Sequence, residues 1–509
     1  MDRNTMLAFA SSSKAHTRRN RNNDRLGAHS RELDVAVVGG GISGLVTAYR
    51  LAMRSEPGCN ALLRVFEVGD RVGGQVHTEK RGDWLFETGA DSMVTAKAAA
   101  SNLCRELGLG DELIAPCSAA TFSLVRDRRL HPLPAGFHMV AATEPAPLLG
   151  SRLLSWPGKL RMLLEPWVPR GAAGSQENGF AGDESVEDFV VRRFGRQAYE
   201  RIAEPILGGL FAADATRLSA RRALGPFVEL ERRNGSVLRG LRAAPIDSAA
   251  PSASAGNSSR PAASSQLSLK HGLGSLITRL VEQLPTSWLQ LGCGVKAIRP
   301  VPEQAHWHIE TTSGVWLARE VVLACPAPSC RDLLHAGLPS VALALEELCF
   351  GSCVTVNAVY RRSSLRRLPS DFGFFVPRSE PYHILAANFS SEKFTGRAPE
   401  AHVVVRTFQG GALDPDALDL DDRALSQRSH EDVAHLIGAT NPPLSSVVRR
   451  FRQSMPQFGL GHFDRVQDLR RQVEAHRGLH IVGSGLGVYG LPDCIASAED
   501  AAARIGLFP

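Results

Sequence analysis

The chain has 509 residues, of which 43% are hydrophobic and 22% charged, a balance that can bury two or three cores and excludes a fibrous or wholly disordered protein. Net charge is +6, but the first 32 residues alone carry seven Lys or Arg against three acids, so the remainder is near neutral and no nucleic-acid partner is expected. The nine cysteines are odd in number and form no C-x-x-C pair, which argues against a zinc site or a closed disulfide framework and for a reducing compartment.

Residues 1–33, rich in Arg, Ser and Asn, read as a disordered leader. An organelle transit peptide over 1–32 is the alternative, opposed by Asp2, Asp24 and Glu32. No apolar run approaches the roughly 20 residues needed to span a bilayer, so any membrane contact is peripheral. The expected location is the cytoplasm or a membrane surface, or a mitochondrion or plastid if the leader is a transit peptide.

The run LDVAVV then reads as a short buried strand. Gly39, Gly41 and Gly44 follow in the pattern G-x-G-x-x-G, with Gly40, Ile42 and Ser43 between them. The first glycine allows a tight turn, the second a close approach of backbone to a pyrophosphate, and the third close packing of the next helix. That helix, SGLVTAYRLAMR, offers a partly positive N-terminus to a phosphate. A second strand, ALLRVFEV, carries Glu67, 23 residues after Gly44 and near the expected spacing for a carboxylate that takes ribose hydroxyls. Strand, glycine turn, helix, strand and acid together predict a Rossmann-like dinucleotide site.

Residues 95–222 read as helical. Within them Leu153, Leu154, Trp156, Leu160, Met162, Leu163, Leu164 and Trp167 stand beside Arg152, Lys159, Arg161 and Arg170, a pattern that suits a membrane surface and also a core helix. Residues 244–266 are Ala-, Ser- and Pro-rich and read as a disordered loop. Residues 340–455 read as strands such as CVTVNAVY and HVVVRTF plus one helix near 422–437, a mixed sheet over a ligand cavity. The far end, LHIVGSGLGVYGLPDCIASAEDAAARI, is again strand, Gly-rich turn and helix. The expected class is therefore α/β with α+β insertions. A cofactor domain is built from 34–94, 267–330 and 470–509, a helical membrane-associating domain from 95–222, and a substrate domain from 223–243 and 331–469. No G-x-S-x-G, HExxH or metal-ligand cluster is present, and no catalytic residue is assigned.

After Glu67 comes VGDRVGGQVHT, then LFETGADSM, and later HGLGSLITRL, GGLFAADATRLSAR, FFVPRSEPYHILAANFSSEKFTGRAP, MPQFGLGH and GLPDCIASAEDAA. These stretches resemble the protoporphyrinogen oxidases, within the amine oxidase and phytoene desaturase group of flavoproteins. The resemblance runs from about residue 34 to 506. It implies non-covalent FAD held by Gly39, Gly40, Gly41, Ile42, Ser43, Gly44, Glu67, Val68, Arg71, Gly74, Gln75, Gly89, Ala90, Asp91, Ser92, Val295, Phe451, Gly483, Tyr489, Gly490 and Leu491.

It implies further a peripheral membrane enzyme, able to form a homodimer, that takes six electrons from protoporphyrinogen IX and passes them to O2. Coproporphyrinogen III, another substrate of the amine oxidase group, and a non-catalytic FAD- or tetrapyrrole-binding role are the alternatives. Substrate contacts carry over to Phe375, Asn388, Phe408 and Ala213, with the two phenylalanines expected to sandwich the macrocycle. Departures from the family pattern are the absent propionate-binding arginine at Thr121 or Phe122, Asn388 at an aliphatic position, Ala213 and Val488 at glycine positions, and Phe451 where tryptophan is common. Arg126, Arg128 or Arg129 could replace the missing arginine. His462 and His383 are the nearest candidates for a general base, and Cys494 is expected to be a buried core residue.

Overall fold

Order begins earlier than the composition suggests. In the computed structural model, which describes residues 31–54, 62–117, 121–171, 183–243 and 266–506, the first strand is Arg31–Val38. Residues 31–33, read from sequence as leader, are in that strand, because Arg31–Leu33 find ladder partners in Trp316–Ala318. The Arg31 guanidinium also lies 4.9 Å from the Trp316 ring centroid. The rest of the leader and residues 244–265 lie outside the described residues, while Gln266 opens the strand Gln266–Leu269.

Arg31–Val38 is central in a sheet ordered Leu289–Gln290, Leu63–Phe66, Arg31–Val38, Gly314–Leu323, His306–Thr311, Val295–Val301. Leu479–Ile481 pairs in parallel with the second half of Gly314–Leu323. The neighbours of Arg31–Val38 are both parallel to it, so both its faces are buried, which explains its continuous apolar run. Helices Ile42–Arg54 and Leu491–Arg504 pack on one face with Leu45, Val46, Ile495 and Ala498 in the core. The other face is covered by Ala327–Leu334, Pro339–Glu346 and His462–Glu474, through Leu334, Val341 and Leu469. Of these three, Pro339–Glu346 falls inside the span assigned to the substrate domain and the other two straddle its ends, yet all three pack on the first sheet. Likewise Ala99–Glu106, assigned to the helical domain, packs on the cofactor sheet through Leu103 and Cys104.

A second mixed sheet runs Ser445–Pro456, Phe350–Arg361, His402–Gly410, Ile384–Phe389, Gly373–Phe375, Ser123–Arg126, Arg129–Pro132. Its last two strands come from the span read as helical. They form a hairpin with Asp127 and Arg128 at positive φ in the turn, and dock in parallel on Gly373–Phe375. Such pairing of distant segments leaves no local signal. The helix Asp422–Ile437, capped by Asp421, covers the outer face with Val433, Leu436 and Ile437.

The helical body packs Val186–Phe194, Glu204–Phe211, Gly225–Asn234 and Val237–Ala243 around one apolar core. Phe227, Leu238 and Leu241 place residues 223–243 in this body, not in the substrate sheet. The stretch 153–167 splits by burial: Leu153, Leu154 and Met162 enter the core, whereas Trp156 and Trp167 are 69% and 73% exposed. No helix among the described residues is long and apolar enough to cross a membrane.

Candidate active site

The glycines at the end of Arg31–Val38 act differently from one another. Gly39 has φ of 109°, and a Cβ there would lie 2.8 Å from the Ala324 carbonyl oxygen. A Cβ on Gly44 would lie 2.0 Å from the Gly39 carbonyl oxygen, so the helix can start against the strand only without a side chain. A Cβ on Gly41 would meet nothing within 4 Å. Gly41 thus presents bare backbone to open space at the N-terminus of Ile42–Arg54, a cradle for a phosphate. Ile42 and Ser43 open that helix.

The Glu67 carboxylate sits over the same turn. Its Oε2 accepts from Gly40 N–H and its Oε1 from Gly69 N–H, each at 2.8 Å. Val68 is exposed and lies against Gly294, next to Val295. Arg71 donates to the carbonyls of Val72 and Gly74, both at 3.2 Å, which fixes the second glycine turn. Gly73 bridges to Gly41, and Gly74 lies within van der Waals reach of it. Gln75 anchors to the Ser454 carbonyl at 3.1 Å, and Gly89 packs so tightly on Gln75 that no side chain fits there.

The chain's two ends meet at this turn. Ser43 Oγ donates to the Cys494 carbonyl at 3.2 Å, and Gly483 packs against the Ser43 hydroxyl. Gly490, at φ of 95°, caps the helix Leu491–Arg504 with open space where a Cβ would stand, and Leu491 is buried beneath it. Tyr489 donates its hydroxyl to the Leu210 carbonyl at 3.1 Å and tilts against Phe211. Phe451 pairs with Cys353 in the second sheet. Burial pushes the Cys494 thiol up to about 12, so it stays protonated, as suits a non-covalent cofactor. The bare positions at Gly41 and Gly490, with Glu67 beside them, fit a dinucleotide.

The second sheet supplies the facing wall. One row across its strands is Phe375, Ala386, Phe408, Thr355, and the next is Gly373, Asn388, Arg406, Asn357. Phe375, Asn388 and Phe408 are half-buried among buried neighbours, as residues facing a cleft should be. The two phenylalanines share one face, separated by two strand spacings of about 10 Å in all. They form one wall and do not sandwich a ring between them, because register, which sequence does not reveal, sets them side by side. Phe375 meets Phe122 edge-on at 5.1 Å. Ala213 is buried in the helical core, against which Phe375 of the wall also packs.

Asp91 gathers the polar side chains of the cleft. Its Oδ2 accepts from Lys393 Nζ at 3.1 Å and from Asn388 Nδ2 at 3.3 Å, while Ser92 Oγ donates to Oδ1 at 2.8 Å. Asn388, unexpected at an aliphatic position, is therefore paired. Burial alone would raise the Asp91 pKa, but the charges of Lys393 and Arg406 outweigh it and hold the carboxyl well below its usual range. Lys393 and Arg406 escaped the sequence reading. The signal was there: HVVVRTF places a charge inside an apolar strand.

Where an arginine was expected, Thr121 and Ser123 donate to the carboxylate of Asp371 at 2.8 and 2.5 Å. Arg128 and Arg129 lie in the exposed hairpin end, and Arg126 is tied to the Arg152 carbonyl, so none takes that place. His462 is buried behind the C-terminal turn against Gly487, and burial, aided by Arg222 and Arg465, pushes it down to about 4. His383 lies 3.7 Å from Asp432 on the covering helix. Neither histidine is on the wall.

The family model for flavin containing amine oxidoreductases matches residues 42–506. The coproporphyrinogen III oxidase of Propionibacterium freudenreichii is 31% identical over 95% of this chain and 92% of its own. The chloroplastic protoporphyrinogen oxidase 1 of Spinacia oleracea is 28% identical over 93% and 84%. The crystal structure of a candidate protoporphyrinogen oxidase from Exiguobacterium sp. 255-15 superposes with a TM-score of 0.80 at 30% identity, covering 94% of this chain and 99% of that one. Putrescine oxidase, at 15% identity and a TM-score of 0.65, shares the fold. The chain belongs to the flavin-containing amine oxidoreductases, with FAD as its cofactor.

Proposed function

We propose that this protein is an FAD-dependent porphyrinogen oxidase that removes six electrons from its substrate in three two-electron steps, with O2 as the final acceptor. The observation that carries the reading is the row of Phe375, Ala386 and Phe408 along one face of the second sheet, beside the Gly89–Ser92 loop that Asn388 and Arg406 hold. Apolar ring faces bind such a surface by dispersion and stacking. When bound, FAD accepts the hydride equivalents. The chain's part is to hold the macrocycle, exclude water and keep charge in place, which is consistent with the absence of a histidine from the wall.

Between the two porphyrinogens we favour coproporphyrinogen III over protoporphyrinogen IX. The former carries four propionates, the latter two propionates and two vinyl groups. The relative named coproporphyrinogen III oxidase is the more similar of the two compared, 31% against 28% identical, and half-buried Asn388 puts a polar group on the wall. Contact with a membrane surface rests on Trp156, Leu160, Leu164 and Trp167, all exposed on one short stretch with Lys159 4.5 Å from the Trp156 ring centroid.

The deciding experiment is anaerobic mixing of the yellow protein with each porphyrinogen. Bleaching of the flavin faster with coproporphyrinogen is expected. Bleaching faster with protoporphyrinogen overturns the choice of substrate. Bleaching only with amine or carotenoid donors, or with none, overturns the porphyrinogen reading.

A further inference from the structure

Arg406 is a buried charge that is incompletely satisfied among the described residues. It is only 4% exposed, yet its Nε has no hydrogen-bond partner among the described residues. One Nη donates to the Gly89 carbonyl, and the guanidinium lies 4.7 Å from the Phe408 ring centroid. Directly across the ladder, Asn357 is fully buried with both amide atoms unpartnered among the described residues. Buried polar atoms are rarely left unpaired without a function.

The surrounding charges do not cancel it. Among the described residues of this cluster, the cations are Lys393, Arg397 and Arg406 and the carboxylates Glu87 and Asp91. Lys393 takes Asp91, and Arg397 lies 4.0 Å from Glu87. Burial pushes Glu87 up to about 7, despite donors from Leu273 and Thr78, so the excess is positive. Burial also pulls Arg406 down from its ordinary value, with Asp91 and Glu87 pulling the other way, but a guanidinium stays charged.

We propose that Arg406 is a fixed positive charge held against the flavin seat to raise the electron affinity of the bound FAD. The inference rests on the proposed function and on that seat lying beside Gly89–Asp91, the loop whose Gly89 carbonyl Arg406 holds and whose Asp91 carboxylate it faces. Taking up a hydride brings two electrons and one proton into the seat, which is one net negative charge. The donor would give that hydride to the flavin and a pyrrole N–H proton to water, and O2 would later take up the electron pair with two protons as H2O2. A dry cation already oriented there stabilises the arriving charge without reorganisation.

The test uses the FAD-loaded protein and no porphyrinogen, so its failure is distinct from failure of the substrate reading. Wild type, Arg406→Met and Arg406→Lys are titrated with sulfite, an anion that adds to electron-poor flavin and bleaches it, and their midpoint potentials are measured. Arg406→Met is expected to weaken sulfite binding at least tenfold and to lower the two-electron potential by about 30 mV for each tenfold. Arg406→Lys should stay within threefold of wild type. An FAD-loaded Arg406→Met with wild-type sulfite affinity and potential overturns the proposal. If that variant loses FAD, the wild type still decides: no bleaching by sulfite overturns the proposal, and bleaching retained by Arg406→Lys supports it.

Discussion

Asn388 and Asp91, 297 residues apart in the chain, are joined by a hydrogen bond of 3.3 Å between amide Nδ2 and carboxylate Oδ2. That bond ties the second sheet to the Gly89–Ser92 loop. It also makes Asp91 a shared acceptor, with Lys393 on the same oxygen.

Lys393→Met should therefore be costly. It leaves Asp91 with a less complete set of partners in a mostly buried site, and breaking such a pair costs about 3 to 5 kcal/mol. Chemical denaturation should show the loss. The double variant Lys393→Met with Asp91→Asn should recover part of it, and equal stability of Lys393→Met and wild type would refute the pairing.

The glycines of the first turn make opposite predictions. Gly44→Ala meets the Gly39 carbonyl and should cost at least about 1 to 3 kcal/mol by overpacking. Gly41→Val points into open space and should fold within about 0.5 kcal/mol of wild type, yet purify without yellow colour because its side chain occupies the phosphate cradle. Thermal melts and the ratio of flavin to protein absorbance separate the two.

Glu67→Gln keeps the size of the side chain and removes its charge. Two backbone donors then face an amide that can accept from only one of them well, a loss of about 1.5 to 3 kcal/mol. FAD affinity, measured by fluorescence on dilution, should fall roughly tenfold or more. Unchanged affinity would show that the carboxylate serves only the turn.

His462 gives a pH signature. Its folded value, about 4, lies below the ordinary 6.5, so the unfolded chain binds the proton more readily. Stability from this group is complete above pH 6.5 and declines as pH falls toward 4, by roughly 3 kcal/mol at most. Melting curves of wild type and His462→Gln should converge as pH drops through this window. A constant gap from pH 7.5 to 4.5 would refute the assignment.

Trp156→Ala combined with Trp167→Ala removes two exposed aromatic side chains from one short stretch and leaves the core residues Leu154 and Met162 untouched. Sedimentation with anionic vesicles should fall roughly tenfold, with melting temperature unchanged. Wild-type sedimentation by the variant would remove the membrane reading.

How much of this was legible in the sequence follows from where each signal resides. Gly39, Gly41, Gly44 and Glu67 are contiguous or at fixed spacing, so the strand, glycine turn and helix could be read directly. The helix Leu491–Arg504 and its glycine turn were equally local. The wall was not: whether Phe375 and Phe408 face each other or stand abreast depends on the register of three strands. The hairpin Ser123–Pro132 was hidden in a helical stretch because its pairing partner lies about 250 residues away. Lys393 and Arg406 acquire meaning only once Asp91 is placed beside them.

The strand Arg31–Val38 completes its ladder with Gly314–Leu323, and Ser43 reaches Cys494, 451 residues distant. Closing loops of that span costs chain entropy before any contact rewards it, so such assembly is slow. The nucleotide cleft is therefore complete only when both ends of the chain are in place, so losing either end removes part of its floor.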